Sequence, residues 1–322
     1  MTLRVAEATR RRFRVVVCGE KRVARECLEF LRRRPDTELC VVFTSPSDWQ
    51  TDLAEWGKAR RVRVLLGNVN QHLQEISALA PDFILSIQYR WRFNPPVLKV
   101  PARGCVNLHF SLLPRYAGCY PITWVLLNGE RETGATLHRM TEQLDAGDIL
   151  AQTRVPIPEG VTARDLFERV SDAAAELFRA SYPELCTGAL HARAQDPSQR
   201  LYHSRDSLRF KQDCILRWDR PGPEIQRAVR AFSFEPFQLP MTLVQLPDGR
   251  RLPATVEQTR LIPAEPRRPP MPPGRILETT GQGRVRVTTG SRHVVEIGRL
   301  DKKRPSRFFD SIACEPASAV FL

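Results

Sequence analysis

The sequence lacks any pair of cysteines at the spacing of a metal-binding or redox motif. Its eight cysteines are scattered through 322 residues, and no two of them stand in a CxxC pattern. A disulfide framework or a zinc site would bring cysteines together at short, repeated spacings. We therefore expect reduced thiols that are mostly buried, since a free cysteine behaves as a small apolar residue, and we expect no metal.

Long apolar runs are also missing. No stretch approaches the roughly 18 consecutive apolar residues from which a membrane helix is predicted. The start of the chain, "MTLRVAEATRRRFRVVV", has no apolar signal-peptide segment before its first strand. The arginines at 10–12 resemble part of an organelle-targeting peptide, but Glu7 and the shortness of the segment argue against one. These absences predict a cytoplasmic protein with no membrane partner.

Lysine is scarce, because only six of the 49 basic residues are lysine, although the formal net charge is +13. A strongly basic balance is typical of proteins that bind nucleic acid or other phosphates. No run of lysine and arginine marks a tract that would follow a phosphate backbone, so the composition does not require nucleic acid. A small substrate that bears phosphate is consistent with this charge.

Short apolar runs alternate with amphipathic stretches in the first half of the chain. "FRVVVCG" (13–19), "TELCVVFTS" (37–45) and "FILSI" (83–87) are typical of buried strands. "KRVARECLEFLRRRP", between the first two, has apolar residues at helical spacing before Pro35. This alternation predicts an α/β fold with a Rossmann-like, mostly parallel sheet and helices on both faces. Ligands of such sheets bind at the carboxyl ends of the strands.

The character of the sequence changes after a long helical pattern at 162–190. Residues 191–207 are polar and irregular, which is typical of a linker. The rest of the chain contains a hairpin signal at Asp248-Gly249, a proline-rich stretch at 263–274 and three further strand-like runs. These features predict a small C-terminal β-barrel of the OB-like kind. The predicted domains are a catalytic domain (1–190), a linker (191–207) and a C-terminal β-rich domain (208–322).

One stretch of the predicted sheet carries polar side chains that a packing role does not require. In "NLHFSLLPRYAGCYP" (107–121), Asn107 and His109 are two residues apart on a strand and so project from the same face. Asp145 lies in a tight turn after the next predicted strand (135–140) and reaches the His109 imidazole if the two strands lie near each other. A carboxylate orients an imidazole that acts as general base, and an amide donates to a developing oxyanion. This trio suits acyl-type transfer to an amine without a Ser or Cys nucleophile.

Each part of this trio also has a structural explanation. A buried Asn or His is usually just hydrogen-bonded, and Asp and Gly are ordinary turn residues. His138 competes for the catalytic role but lacks an adjacent Asn, and surface or packing roles are expected for the other four histidines.

The first strand ends in "CGEKRVA", which matches neither the dinucleotide pattern nor the phosphate-loop pattern of glycines.

The segment "NLHFSLLPRYAG…PITWVLLNGERETGATLHRMTEQLDAGDILAQ" resembles the signature of the formyltransferases that use 10-formyltetrahydrofolate. The family elements N-x-H-x-S-L-L-P, G-E-x-x-T-G-x-T and L-D-x-G-D are all present, in order and at the family spacing. The resemblance extends over the whole chain. It implies 10-formyltetrahydrofolate as the co-substrate, and it implies Asn107, His109 and Asp145 as the catalytic residues. It also implies binding of the pterin, largely through backbone, at Ser86, Ile87, Gln88, Tyr89, Leu144, Gly147 and Asp148.

Two positions depart from the family pattern. Phe110 stands where many members have Gly, which predicts a narrower pocket beside the catalytic residues. Ala117 stands where an Arg often follows the aromatic residue, so contacts to the acceptor are expected to differ while activity is kept.

The acceptor amine is the open part of this prediction. The segment "TSPSDWQTDLAEWGKARR" lacks the basic loop with which methionyl-tRNA formyltransferases engage tRNA. "WVLLNGE" and "TGATLHRM" are similar to the enzymes that formylate UDP-4-amino-4-deoxy-L-arabinose and other sugar nucleotides. We therefore expect a nucleotide-linked amino sugar first, and an amino acid such as an ornithine derivative second. Methionyl-tRNA, hydrolysis of the formyl donor and a non-catalytic folate-binding role are the remaining alternatives, and a homodimer is possible.

Overall fold

The computed structural model describes residues 12–46, 52–234, 238–245, 249–263, 271–280, 284–291, 293–300 and 320–321. The chain forms two compact units, each assembled from several segments. The first unit contains the residues up to Gly118 together with Thr133–Pro156 and Arg169–Tyr202. The second contains Cys119–Glu132, Ile157–Glu168 and the residues from His203 onward.

The first unit is built on a seven-stranded sheet. The strands up to residue 156 are β1 (Phe13–Gly19), β2 (Thr37–Thr44), β3 (Val64–Leu66), β4 (Phe83–Ile87), β5 (Cys105–His109), β6 (Ala117–Gly118), β7 (Glu132–Arg139) and β8 (Ile149–Pro156). Their order in the sheet is β3-β2-β1-β4-β5-β7-β8, and the two-residue β6 lies outside it. The pairs from β3 to β5 are parallel, whereas β7 runs antiparallel to β5.

Helices connect the strands, and the first of them follows from the apolar periodicity of the sequence. They are α1 (Lys21–Arg32), α2 (Leu53–Arg60), α3 (Leu73–Ala78), α4 (Pro95–Leu98), α5 (Pro121–Leu127), α6 (Ala163–Thr187), α7 (Phe210–Asp213) and α8 (Gly222–Phe232). In α1 the residues Val23, Cys27, Leu28 and Leu31 are buried on one face, as their spacing requires. The strands β1 and β4 contribute continuous buried runs, which is the pattern of a parallel sheet covered on both faces.

The second unit contains a six-stranded antiparallel sheet in the order β12-β13-β14-β11-β10-β15. The strands after residue 200 are β9 (Tyr202–His203), β10 (Met241–Gln245), β11 (Arg251–Ile262), β12 (Ile276–Thr280), β13 (Arg284–Thr288), β14 (Val294–Leu300) and β15 (Val320–Phe321). Trp218, Val244, Val285 and Ile297 are part of the buried cluster on this sheet. The predicted fold class, a Rossmann-like sheet followed by a small barrel-like β unit, is confirmed.

Several elements differ from the sequence-based expectations. The helix α5 and the strand β8 were not predicted, because α5 begins in a proline-containing turn segment and β8 mixes buried with exposed residues. The segment 191–207, predicted to be an irregular linker, contains two short 3₁₀ turns and the two-residue strand Tyr202–His203. Three predicted features fall partly outside the described residues, namely the turn residue Asp248, most of the proline-rich stretch (264–270) and Cys314.

The seven cysteines within the described residues form no disulfide. Five of these thiols are buried, and Cys40 and Cys119 are half-buried. Burial raises the pKa of Cys105 to about 12. In the described part of the chain, no helix is both long and apolar enough to cross a membrane.

Candidate active site

Strand β5 positions the two polar side chains that the sequence singles out. Val106 and Leu108 are buried in the sheet, and the alternation of a strand places Asn107 and His109 together on the other face. The neighbouring strands fix what these two side chains meet. Asn107 is paired with Ser86 of β4 on one side and with His138 of β7 on the other.

His109 is buried and both of its ring nitrogens have neighbours. Its Nε2 lies 2.8 Å from the carbonyl oxygen of Tyr116, and since a carbonyl only accepts, Nε2 carries the hydrogen. Its Nδ1 lies 3.6 Å from Oδ2 of Asp145. In the neutral ring, Nδ1 carries the lone pair, and this nitrogen faces the Asp145 carboxylate.

Asp145 is the electrostatic centre of the site, with a side chain that is 8% exposed. Its Oδ2 accepts a hydrogen bond of 2.8 Å from the backbone N–H of Gly118. Its Oδ1 lies 3.4 Å from Nε2 of His138 and 3.3 Å from the donating Nδ2 of Asn107. Burial alone would raise the pKa of Asp145, but His109, His138 and the Gly118 N–H outweigh burial and hold that pKa well below the usual carboxyl range.

His138 belongs to this cluster, although the sequence analysis assigned it no adjacent Asn. No Asn is adjacent to His138 in the sequence, but the antiparallel register places Asn107 directly opposite it, with 3.0 Å between the Asn107 Nδ2 and the His138 Nε2. The His138 Nδ1 donates to the Arg139 carbonyl at 2.8 Å, so in the neutral ring Nε2 accepts from Asn107. A sequence-based pairing of β5 with an antiparallel strand at 132–139 would have revealed this neighbour.

The turn that follows β5 is held by a hydroxyl and an amide from the two strands beside it. The Thr136 Oγ1 donates to the Ser111 carbonyl at 2.6 Å and accepts from the Leu113 N–H at 3.2 Å. The Gln152 Nε2 donates to the Leu113 carbonyl at 2.8 Å. These bonds fix the start of the turn that delivers the Tyr116 carbonyl and the Gly118 N–H to the site.

The residues predicted to bind folate border the cluster on two sides. Ser86 and Ile87 form the buried end of β4, and Gln88 follows with a left-handed backbone (φ 55°). The Tyr89 hydroxyl is already engaged, because it donates to the Gly67 carbonyl at 2.6 Å and accepts from the Val69 N–H at 2.9 Å. Its backbone is therefore the part that a ligand would use.

The other predicted folate residues lie in the turn around Asp145. The carbonyls of Leu144 and Gly147 face protein donors, and the Asp148 carbonyl accepts from the Arg139 N–H at 2.9 Å. A Cβ on Gly147 would lie 2.1 Å from the Arg139 carbonyl oxygen, so this close approach requires glycine. Contact of these residues with folate stays a prediction.

The two departures from the family pattern are both interior positions. Phe110 is buried at the end of β5, and Ala117 packs in a small cluster with Leu113 and Ile149. A long polar side chain at 117 would not fit among these apolar neighbours. The predicted effect of Phe110 on the pocket stays a prediction.

Within the described residues, no group of three or more His, Cys, Asp or Glu side chains is arranged to hold a metal ion. The site offers an amide, two imidazoles and a carboxylate that is kept ionised. Such a set suits proton transfer and the stabilisation of a developing negative charge on oxygen.

Comparison with known proteins identifies relatives of both units. The family described as "Formyl transferase" matches residues 12–181, and "Formyl transferase, C-terminal domain" matches residues 209–308. The N-formyltransferase from Helicobacter canadensis, solved in complex with folinic acid and dTDP-3-aminofucose, is similar in structure with a TM-score of 0.72 and 21% identity. That alignment covers 90% of this chain and 100% of the other.

Further solved structures have the same fold. A sugar 3N-formyl transferase, solved in the presence of dTDP and 5-N-formyl-THF, gives a TM-score of 0.69 at 20% identity, covering 90% of this chain and 98% of the other. A 4-N formyltransferase from Francisella tularensis gives 0.64 at 18% identity, covering 76% and 97%. The first family match alone spans more than half of the sequence. This chain belongs to the formyl transferase family.

Proposed function

We propose that the protein is an N-formyltransferase that moves a formyl group from 10-formyltetrahydrofolate to the amine of a nucleotide-linked amino sugar. The observation that carries the proposal is the ionised, buried Asp145 in contact with His109 and Asn107 on the strand that the family signature marks. Solved relatives with the same fold are described with folinic acid or 5-N-formyl-THF and with dTDP or dTDP-3-aminofucose.

The residues around Asn107 fit a folate ligand by the chemistry of their donors. The pairing of Ser86 with Asn107 brings the end of β4 next to the cluster, and the Asp145 turn borders it from the other side. Backbone groups of these two segments that are not bonded within the protein would bind a pterin edge, which presents both donors and acceptors. When bound, 10-formyltetrahydrofolate supplies a formyl group carried on nitrogen.

Asn107 and His109 then have separate tasks. The Asn107 amide turns one N–H from Asp145, its longer contact at 3.3 Å, to the formyl oxygen on which negative charge develops. The acceptor amine bonds to the formyl carbon and gives up a proton. The Nε2 of His109 is committed to the Tyr116 carbonyl, so Nδ1 is the nitrogen that accepts this proton. The proton reaches Nδ1 by way of water.

Asp145 makes this proton transfer favourable. A proton on the His109 Nδ1 converts a repulsion between a lone pair and a carboxylate into an attraction over the 3.6 Å to Oδ2. The Gly118 N–H keeps the carboxylate in place while the charge on the ring changes. The carbon–nitrogen bond to the folate breaks as the new formamide forms, and the leaving folate nitrogen takes the proton that His109 accepted from the amine, which returns the ring to its neutral form.

The acceptor follows from charge and from the relatives. A basic chain in which the segment after the second strand carries no long run of Lys and Arg is consistent with a small acceptor that bears phosphate groups. Nucleotide-linked amino sugars combine such phosphates with a primary amine. A cytoplasmic location and a homodimer stay predictions.

The experiment that tests the proposal has two independent parts. Folinic acid is titrated into the full chain and binding is followed by calorimetry, with saturable binding expected. Release of tetrahydrofolate from 10-formyltetrahydrofolate is then followed with dTDP- and UDP-amino sugars, ornithine derivatives, methionyl-tRNA and buffer alone. Turnover that depends on an amino sugar supports the proposal, whereas turnover in buffer alone would identify a hydrolase, and absence of folinic acid binding would refute a folate-dependent reaction.

A further inference from the structure

The segment 193–201, which is part of the predicted linker (191–207), is attached to both loops that complete the active site. Arg193 and Ile149 exchange backbone hydrogen bonds of 2.8 and 2.9 Å just after the Asp145 turn. Leu201 donates to the Pro114 carbonyl at 3.3 Å and accepts from the Ala117 N–H at 2.8 Å. The segment therefore crosses the Asp145 turn and the turn that presents Tyr116 and Gly118.

Two side chains of this segment are directed at the Asp145 turn itself. The Gln195 Nε2 donates to the carbonyls of Asp145 at 3.0 Å and Gly147 at 2.6 Å. The Arg200 guanidinium donates to the carbonyls of Leu144 at 2.7 Å and Asp145 at 3.3 Å. Four donor contacts thus converge on three carbonyls of a single turn.

The Asp145 turn needs such support for a physical reason. Asp145 has a left-handed backbone with a φ of 50°, a region that residues other than glycine adopt infrequently. Its side chain is also a buried carboxylate, which is costly unless its partners are held in place. Gln195 and Arg200 bind the carbonyls of the turn. The carboxylate of Asp145 is thereby held against His109, His138 and Gly118.

We propose that Gln195 and Arg200 are positioning residues of the formyl transfer reaction, which act by holding the backbone of the Asp145 turn so that its carboxylate stays against His109. This inference rests on the proposed function, because it assigns Asp145 a part in that reaction. The amide of Gln195 and the guanidinium of Arg200 are not placed in contact with the reacting atoms.

The alternative is that both side chains only stabilise the fold. A purely structural role would lower the melting temperature and leave the turnover of the folded fraction unchanged. A positioning role lowers kcat and loosens the Asp145 turn while the rest of the chain keeps its stability. A positioning role also predicts that the same substitution has little further effect on kcat in a variant that already lacks the Asp145 carboxylate.

The test uses the full chain with Gln195→Glu and Arg200→Ala. Gln195→Glu keeps the shape of the side chain but turns oxygen toward two carbonyls, whereas Arg200→Ala removes the guanidinium. Arg200→Lys keeps one charged donor and serves as the rescue variant. Gln199→Ala, on the same segment, and Arg169→Ala, on an exposed site of α6, are the matched controls.

Three readouts are measured on each variant. The first is amide hydrogen exchange of the peptide covering 141–148, compared with that of β1. The second is kcat and KM for the amine that the wild type turns over. The third is the dissociation constant of folinic acid.

We expect faster exchange at 141–148 with unchanged protection of β1 in both variants, and a kcat lower by about tenfold or more, since only the fraction with an ordered turn is competent. The KM for the amine should stay within about twofold and Arg200→Lys should recover part of the loss. In an Asp145→Asn background, Arg200→Ala should change the residual kcat by less than about twofold, because coupled residues are not additive. The controls should match the wild type.

Unchanged exchange at 141–148 in both variants would overturn the inference, and so would full additivity with Asp145→Asn. The proposed function fails in a different way. In that case the wild type neither binds folinic acid nor turns over an amine, while the exchange experiment still reports whether Gln195 and Arg200 hold the turn.

Discussion

Asn107 and His109 each contribute a different polar group to the site. Asn107 is the amide on β5 that lies beside both Asp145 and His138, and His109 is the imidazole whose Nδ1 faces Asp145. We expect Asn107→Ala or His109→Ala to lower kcat by at least about a hundredfold, the usual loss for an oxyanion donor or a general base. Steady-state formyl transfer measures this, and near-normal rates in either variant would contradict the assigned roles.

Asp145 links the site to the pH dependence of stability. Its pKa in the folded chain is depressed, so its stabilisation is present above the ordinary carboxyl pKa of about 4 and is lost as pH falls from there toward the folded value. Asp145→Asn should therefore be less stable than the wild type at about pH 7, with a difference that narrows by about pH 3. Urea unfolding of both proteins at the two pH values measures this. A difference that stays constant would show that the carboxylate is not stabilised by its neighbours.

Among the elements, β7 and β8 approach each other too closely for a side chain at one position. A Cβ added at Gly134 of β7 would lie 2.0 Å from the Thr153 carbonyl oxygen and 2.6 Å from the Leu112 side chain. We expect Gly134→Ala to lower the free energy of unfolding by about 1–3 kcal/mol, the usual cost of overpacking. Denaturant unfolding measures the change.

Gly298 of β14 provides the control for this substitution. An added Cβ there meets its nearest atom, Oε1 of Gln258, at 3.7 Å, which is an ordinary contact. Gly298→Ala should change the free energy of unfolding by less than about 1 kcal/mol. Equal losses in the two variants would contradict a specific close approach at Gly134.

The elements that sequence patterns predicted are those whose burial has a simple period. β1, β4 and α1 have continuous or helical apolar spacing, and the structure places them where those patterns indicate. The strand β8 was not predicted because three of its residues are half-buried and two are exposed, so buried and exposed positions do not alternate along it. Helix α5 was not predicted because it begins at Pro121, directly after a residue with a left-handed backbone, and such a segment is typical of a turn.

The candidate site likewise contains residues that the sequence predicted and residues that it did not. Asn107 and His109 were predictable because they are two residues apart on one strand, and the family signature marked Asp145. His138, Gln195 and Arg200 join the site from other parts of the chain, through strand register or through bonds to backbone carbonyls. A hydrogen bond to a backbone carbonyl leaves no pattern in the sequence at the accepting position, because every residue type has that carbonyl.

At the scale of the whole molecule, the charge of +13 predicts how any binding of tRNA depends on salt. Any basic protein binds tRNA through its phosphates, and this affinity falls steeply as salt increases from about 50 to about 200 mM. We expect such binding here to be lost at the higher salt and to produce no formyl-methionyl-tRNA, while turnover of a nucleotide-linked amino sugar persists. Filter binding and product analysis at both salt concentrations measure this. Formation of formyl-methionyl-tRNA at the higher salt would favour tRNA as the acceptor.

Gln195 and Arg200 contact the Asp145 turn only through main-chain carbonyls, and this has a consequence for how the enzyme can diversify. A support that recognises only backbone does not depend on the side chains of Leu144 and Ala146. Mutations at these two positions can alter the surface of the turn without shifting the carboxylate. The surface of the turn can therefore vary while its chemistry stays fixed, and a library randomised at these two positions would keep kcat in most of its folded members.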